Sequence, residues 1–483
     1  MSVQYGNYID GRWQEPKSGQ WFESLNPATG EVIGRFAASN EEDANAAVES
    51  AARAFLTWSK KLPAERVKVI YKLMDLIERD KEKIAKALTC EQGKPLTESI
   101  GEPARSIHEC RFMVGESMRM HGMSVPSDRH GVTSTVYRDP IGVVAAITPW
   151  NFPFLTPIRK VVPALIYGCT VILKPASDTP HVACLLVELL EEAGAPAGTV
   201  NLITGGGSLV GDVLSKHPDV KGISFTGSTD VGRKINISAS ATFKKIQLEM
   251  GGKNPAIVAK YHDLPFAANQ IVANAFANAG QRCTTISRVL VVEDVAEELE
   301  RLMAEKISAL KVGNGSLEGT QIGPMINERA GADVMKNVEA AIAAGAIAKT
   351  GGKRLTGGIY DKGYFIAPTL LTRVTHDMTI AREEVFGPVL SVIRVKDFDE
   401  AMKLANDTRY GLTSSLFTDC SEEEFKFISN IQSGMGHINH GTSSEGHLPF
   451  GGVKESGLGP YSIGDSNKEF YTNLKVIYNM YLH

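Results

Sequence analysis

Short apolar runs alternate with segments of helical periodicity along most of this 483-residue chain. "NEEDANAAVESAARAFLTWS", near residue 40, repeats its apolar positions at helical spacing behind a first turn rich in acids. "AERVKVIYKLMDLIERDKEKIAKALTCEQG" continues helical to a glycine stop. "MSVPSDRHGVTSTVYRDP", residues 123–140, holds two β-rich runs around a polar, glycine-containing turn and predicts a hairpin. From there "GVVAAIT", "TVILKPA", "TVNLITG" and "VKGISFTG" are short, almost wholly apolar strands, separated by helical stretches such as "HVACLLVELLEEAG" and "SLVGDVLSKH". Strands apolar on both faces and alternating with helices predict a parallel, doubly wound α/β sheet, which binds ligands at the carboxyl ends of its strands. The alternation resumes near residue 253 with "PAIVAK", "AANQIVANAFANAG", "SRVLVVED" and "EVFGPVLSVIRV", so a second α/β unit is expected. The closing "EFYTNLKVIYNMYL" predicts an aromatic-rich strand whose edge needs a partner, and with the 123–140 hairpin it suggests a subunit interface.

Composition narrows the class. A hydrophobic content of 43% over this length supports two or three domains. A net charge of −4 with interspersed signs supplies neither a basic stripe for nucleic acid nor a polybasic membrane anchor, so small molecules and copies of the chain are the expected partners. The opening "MSVQYGNYIDGRW" lacks the pattern of a secretory signal, and a cytoplasmic location is expected. The uncharged run 140–158 contains four prolines and reads as a buried strand and a loop rather than a membrane span. Six cysteines, at 90, 110, 169, 184, 283 and 420, form no C-x-x-C pair and no zinc-ligand spacing with histidine, so no metal is expected.

Candidate chemistry gathers in a few short motifs. "NAGQRCTTISR" sets Cys283 in a turn after a helix with Arg282 beside it, and a neighbouring cation favours the nucleophilic thiolate. In "LEMGGKNP" a carboxylate, Glu249, stands directly before a glycine turn, where an ordinary solvated strand end is the plain alternative. "PWNFP" ends a strand with Asn151, an amide donor suited to a developing oxyanion. "REEVFGP" adds Glu384 and Phe386. "TGGGSLVG" is one residue too long for the dinucleotide fingerprint, whereas "FTGSTDVGRKI" places Gly227 and Ser228 where a strand gives way to a helix whose first amides can hold a pyrophosphate. A papain-type hydrolase would need a histidine partner for its cysteine, and none accompanies Cys283.

Taken in order, "PWNFP", "KPAS", "FTGST", "LEMGGKNP", "GQRC", "EEVFGP" and "PFGGVKESGLG" resemble the NAD(P)-dependent aldehyde dehydrogenase superfamily over essentially the whole chain. The resemblance implies the aldehyde dehydrogenase-like fold, with two doubly wound parallel-sheet α/β domains plus a small β element. It implies a cofactor-binding domain from residues 1–123 and 141–252, a catalytic domain from 253–467, and an oligomerisation element from 124–140 and 468–483 joining a homodimer or homotetramer. It implies Cys283 as nucleophile, Asn151 with the Cys283 amide as oxyanion donors, and Glu249 as the base that activates the deacylating water. For NAD or NADP it implies contacts from Thr148, Pro149, Trp150, Gly227 and Ser228, from Lys174 and Ser177 at the adenosine ribose, and from Glu384 and Phe386 at the nicotinamide end. Ser177 stands where NAD-preferring relatives often carry a glutamate that would repel a 2′-phosphate. Arg159 and Arg282 match positions that hold the anionic tail of semialdehydes, such as succinate semialdehyde, and Ser443, Ser444 and His447 lie in the loop that closes over that tail. A further arginine used by some succinate semialdehyde enzymes is replaced by Ala277. A broad aliphatic or lactaldehyde-type dehydrogenase is the alternative, and a non-catalytic NAD-binding protein is a more distant one.

Overall fold

A computed structural model describes residues 3–481, arranged as four sheets with helices packed between and around them. Met1, Ser2, Leu482 and His483, at the outer ends of the first and last predicted segments, lie outside the described residues.

The first large sheet has a parallel centre in the spatial order Lys245–Glu249, Val220–Thr226, Val143–Ile147, Thr170–Lys174, Val200–Leu202. Numbered along the chain, that order reverses between Val143–Ile147 and Val220–Thr226, which opens a crevice at their carboxyl ends. The loop carrying Asn151 leaves one of these strands and the Gly227–Ser228 turn leaves the other. The second large sheet runs parallel through Thr369–Thr372, Val389–Val395, Ile286–Val292, Asn254–Val258, Thr413–Phe417 and Met435–Ile438, with Ile347–Thr350 antiparallel at one edge. The chain passes from the first sheet to the second within "MGGK". Glu249 therefore ends a strand of the first sheet while Cys283 sits just before a strand of the second.

The helices that matter to the site are well signalled locally. Glu41–Trp58 starts with a capping box between Asn40 and Asp43. Pro63–Gln92 begins with proline in its first turn and stops at Gly93, which takes the left-handed φ of 91°. That stop delivers Lys94, only 2% exposed, whose ammonium donates to Glu102 at 2.8 Å and to the Asn151 carbonyl at 2.8 Å. Glu102 also accepts from the Phe154 and Leu155 amides at 3.0 and 2.9 Å, so one buried ion pair fixes the whole "PWNFP" turn. Removing one partner from such a pair costs roughly 3–5 kcal/mol.

The 123–140 hairpin forms as predicted, Met123–Pro126 against Val132–Pro140, and Thr472–Met480 pairs antiparallel with it over its full length. The C-terminal segment differs from the expected continuous strand, because Asn467–Tyr471 is a short helix that buries Phe470 and Tyr471 before the strand begins. Beyond it Leu474, Val476, Ile477, Tyr478 and Met480 are exposed. Among the described residues no helix is long and apolar enough to cross a membrane.

Candidate active site

Cys283 stands where two cavities meet. One is narrow and is lined by Arg105, Arg159, Lys160, Arg282, Ser444 and Phe450 among others. The other, of about 250 Å³, is lined by Pro149, Trp150, Gly227, Ser228, Gly251, Glu384 and Phe386. Asn151, Thr226, Glu249 and Cys283 line both.

The turn before Cys283 is strained. Asn278 and Ala279 both take φ of 53°, followed by Gly280 at 70°. Left-handed non-glycine residues cost roughly 1–3 kcal/mol each and persist only where their surroundings hold them. Here Gln92 donates to the Asn278 side chain at 2.9 Å, and the Asn278 amide donates to Glu98 at 3.0 Å. A Cβ on Gly280 would lie 2.1 Å from the Gly387 carbonyl, so only glycine lets the two loops touch. The Asn151 amide nitrogen donates to the Gln281 carbonyl at 3.0 Å, which leaves its second hydrogen for the cavity.

Burial, and next the charge of Glu249, push the Cys283 thiol well above its ordinary range. This corrects the expectation that Arg282 favours the thiolate. Arg282 turns to Thr284 at 3.4 Å, and Arg159 is the cation that acts in the opposing direction at the sulfur. Glu249 is 5% exposed, not a solvated strand end. Burial raises its carboxyl to about 7, opposed first by its contact with the Cys283 thiol and then by Lys160. One of its oxygens has no hydrogen-bond partner among the described residues. Lys160, which donates to Ser224 at 2.9 Å, is brought down to about 7 by burial, with Glu249 opposing.

The second cavity suits a dinucleotide's nicotinamide end. Trp150 and Phe386 meet edge-on at 5.4 Å, Phe386 in a strained backbone with φ of 54°. Glu384 accepts from the Gly252 amide at 3.1 Å, and burial raises it to about 7. A Cβ on Gly251 would lie 2.2 Å from the Glu384 carboxylate, so the floor is kept open by the missing side chain. The other cofactor candidates lie farther out. Thr148 is buried and lines neither cavity. Lys174 is buried, donates to the Pro175 carbonyl at 2.7 Å, and is lowered to about 8 by burial. Ser177 donates to the Gly205 carbonyl at 2.9 Å and lines a separate groove.

Of the tail candidates, Arg159, Arg282 and Ser444 line the first cavity. Ser443 and His447 do not: the Ser443 carbonyl meets His437 at 2.8 Å, and His447 stands outside, 3.5 Å from Glu445. Arg159 holds Glu109 through three contacts of 2.7–3.1 Å and lies over the Phe450 ring. Sequence reading missed Lys94, Glu102, Arg105 and Glu109. The last three share a face of helix Gly101–Glu116 at helical spacing, a signal indistinguishable in the sequence from a solvated polar stripe.

A profile of the aldehyde dehydrogenase family matches residues 13–477. Alpha-ketoglutaric semialdehyde dehydrogenase of Bacillus subtilis (strain 168) is 39% identical, over 98% of each chain. 3-Sulfolactaldehyde dehydrogenase of Pseudomonas putida is 39% identical, over 94% of this chain and 92% of its own. Among solved structures, betaine aldehyde dehydrogenase of Staphylococcus aureus in complex with NAD+ superposes with a TM-score of 0.96 at 34% identity, covering 99% of this chain and 95% of that one.

Proposed function

Because the chain belongs to the aldehyde dehydrogenase family, we propose that it oxidises a small anionic aldehyde to the carboxylic acid, with Cys283, Glu249 and Asn151 carrying the reaction. It is an NAD(P)-dependent oxidoreductase acting on a small-molecule aldehyde. Residues 1–123 and 141–252 serve as its cofactor domain and 253–467 as its catalytic domain.

The aldehyde enters the arginine-lined cavity, and the Cys283 sulfur attacks its carbonyl carbon while Glu249, in contact with the thiol, takes the proton. The oxyanion forms beside the free amide hydrogen of Asn151 and the Cys283 backbone N–H. What the dinucleotide supplies when bound in the second cavity is a hydride acceptor at its nicotinamide ring. Pro149, Trp150, Gly227, Ser228, Glu384 and Phe386 would hold that end. After Glu249 has passed the thiol proton on to solvent it is again a base: it deprotonates the water that attacks the thioester, through an oxygen that has no hydrogen-bond partner among the described residues, and the adduct expels the Cys283 sulfur, which regains a proton as the carboxylic acid leaves.

The observation that carries the anionic substrate is a shortage of carboxylates. Arg105, Arg159, Lys160 and Arg282 line one cavity against the single lining acid Glu249, Glu109 pairs with both Arg105 and Arg159 from outside it, and the buried Arg282 Nε has no hydrogen-bond partner among the described residues. A charge-assisted contact is worth roughly 1.5–3 kcal/mol, or about 10- to 150-fold. Succinate semialdehyde is expected to exceed butanal in kcat/KM by about that margin, and Arg282→Ala to remove the preference mainly through KM. Equal kcat/KM for the two aldehydes would turn the reading to the aliphatic or lactaldehyde-type alternative.

Ser177 is neutral and its hydroxyl is engaged with the Gly205 carbonyl, so nothing at that position repels a 2′-phosphate. NADP is expected to be used at least as well as NAD, and Ser177→Glu to lower kcat/KM for NADP by about tenfold or more through like-charge repulsion. A hundredfold preference of the unaltered protein for NAD would show that other groups decide.

The exposed apolar strand Thr472–Met480 supports a homodimer or homotetramer joined through this sheet. Six free cysteines fit a cytoplasmic location.

A further inference from the structure

Arg105 is the guanidinium that neither the motifs nor the reaction above accounts for. It reaches the first cavity from helix Gly101–Glu116, Arg159 from helix Leu155–Ile166, and Arg282 from the turn before Cys283. Its Nη2 donates to the Ser444 hydroxyl and, at 3.2 Å, to the Ser444 carbonyl. Its Nε is buried with no hydrogen-bond partner among the described residues, 3.6 Å from Glu109. Glu109 is shared between two guanidiniums: it accepts three hydrogen bonds from Arg159 and meets Arg105 only at ion-pair distance. Glu102 is closed by Lys94, and Glu98 accepts from the Asn278 amide. Burial, and then the nearby Arg159, lower the Arg105 guanidinium to about 10, with Glu109 and Glu102 opposing.

We propose that Arg105, with Arg159 and Arg282, forms a three-sided clamp for a tetrahedral oxyanion tail, a sulfonate or phosphonate, in preference to a planar carboxylate. A carboxylate presents two oxygens in one plane, and two guanidinium forks are enough to saturate it. A sulfonate or phosphonate directs three oxygens outward around an axis, which matches cations arriving from three separate elements. Ser444 and Thr284, which line the same cavity, accept from Arg105 and Arg282 through their hydroxyls and steady the two forks. This inference rests on the anionic-tail reading and makes it narrower.

The test compares aldehydes of one skeleton, OHC–CH2–CH2–X, with X a sulfonate, a phosphonate, a carboxylate or a methyl group. The sulfonate or the phosphonate is expected to exceed the carboxylate in kcat/KM by about tenfold, one further charge-assisted contact. A lead for the sulfonate identifies a monoanionic tail and a lead for the phosphonate a dianionic one; either supports the clamp. Arg105→Met and Arg105→Lys are expected to bring the tetrahedral-to-carboxylate ratio close to one, with the change in KM. Calorimetric titration of the full chain with propanesulfonate, propylphosphonate and butyrate supplies a readout free of turnover, and the same order is expected. Butyrate binding as tightly as both tetrahedral anions, or a ratio unchanged in a folded Arg105 variant, overturns the clamp and leaves the anionic-tail reading in place. If all three charged aldehydes fall level with butanal, the anionic-tail reading fails and the clamp with it.

Discussion

Cys283→Ala is expected to lower kcat for aldehyde oxidation by about 10⁴-fold or more, since removing a nucleophile leaves only binding and oxyanion stabilisation. Cofactor binding, followed by quenching of tryptophan fluorescence, should survive, because Cys283 contributes one wall to a cavity whose other walls are Trp150, Glu384 and Phe386. The remaining cysteines lack the setting. Cys110, Cys169 and Cys184 are fully buried, burial is the first cause that pushes their thiols up, and none of them lines either cavity. Cys420 is exposed at the start of helix Ser421–Asn430 and lines neither cavity. Maleimide should therefore label Cys420 first without loss of activity. Turnover by Cys283→Ala, or inactivation that tracks the labelling of another cysteine, would reassign the nucleophile.

How far the sequence leads follows from where each group sits along the chain. Cys283, Glu249 and Asn151 each occupy a short glycine- or proline-marked turn at a strand end, and such turns are visible as local patterns. The doubly wound sheet was equally legible, because its buried strands are apolar on both faces and flanked by helical periods. Lys94, Glu102, Arg105 and Glu109 were not. Their charges lie within or beside ordinary helical periodicity, and only the packing of helix Gly101–Glu116 against Leu155–Ile166 turns that polar face inward. The state of Cys283 escapes the sequence for a related reason. Adjacency to Arg282 in sequence says nothing about direction, and the guanidinium points to Thr284 while burial and Glu249 set the thiol. The C-terminal strand begins at Thr472, three residues later than its aromatic pattern predicts, because Phe470 and Tyr471 serve the core rather than the sheet.

Glu249→Gln separates the two halves of the reaction. In the unaltered protein Glu249 touches the Cys283 thiol, and its own carboxyl is raised to about 7 by burial. A base with a raised pKa is protonated and idle below that value and becomes competent as pH rises through it, so deacylation should increase with pH through about 7 and then level off. Glutamine keeps the volume and removes the base. Steady-state turnover should fall by about 10²- to 10⁴-fold, the usual contribution of a positioned general base. The first turnover is affected differently, because a buried thiol above its ordinary pKa still attacks through its small thiolate fraction. A burst of about one reduced cofactor per site should therefore persist in Glu249→Gln, slower than in the unaltered protein and accelerating toward alkaline pH, as acyl-enzyme accumulates. Mass spectrometry of the quenched protein should find the acyl group on Cys283. Stopped-flow absorbance decides the matter: a burst at the unaltered rate would mean that Glu249 acts only on water, and an undiminished steady state with no pH dependence near 7 would remove it from the reaction altogether.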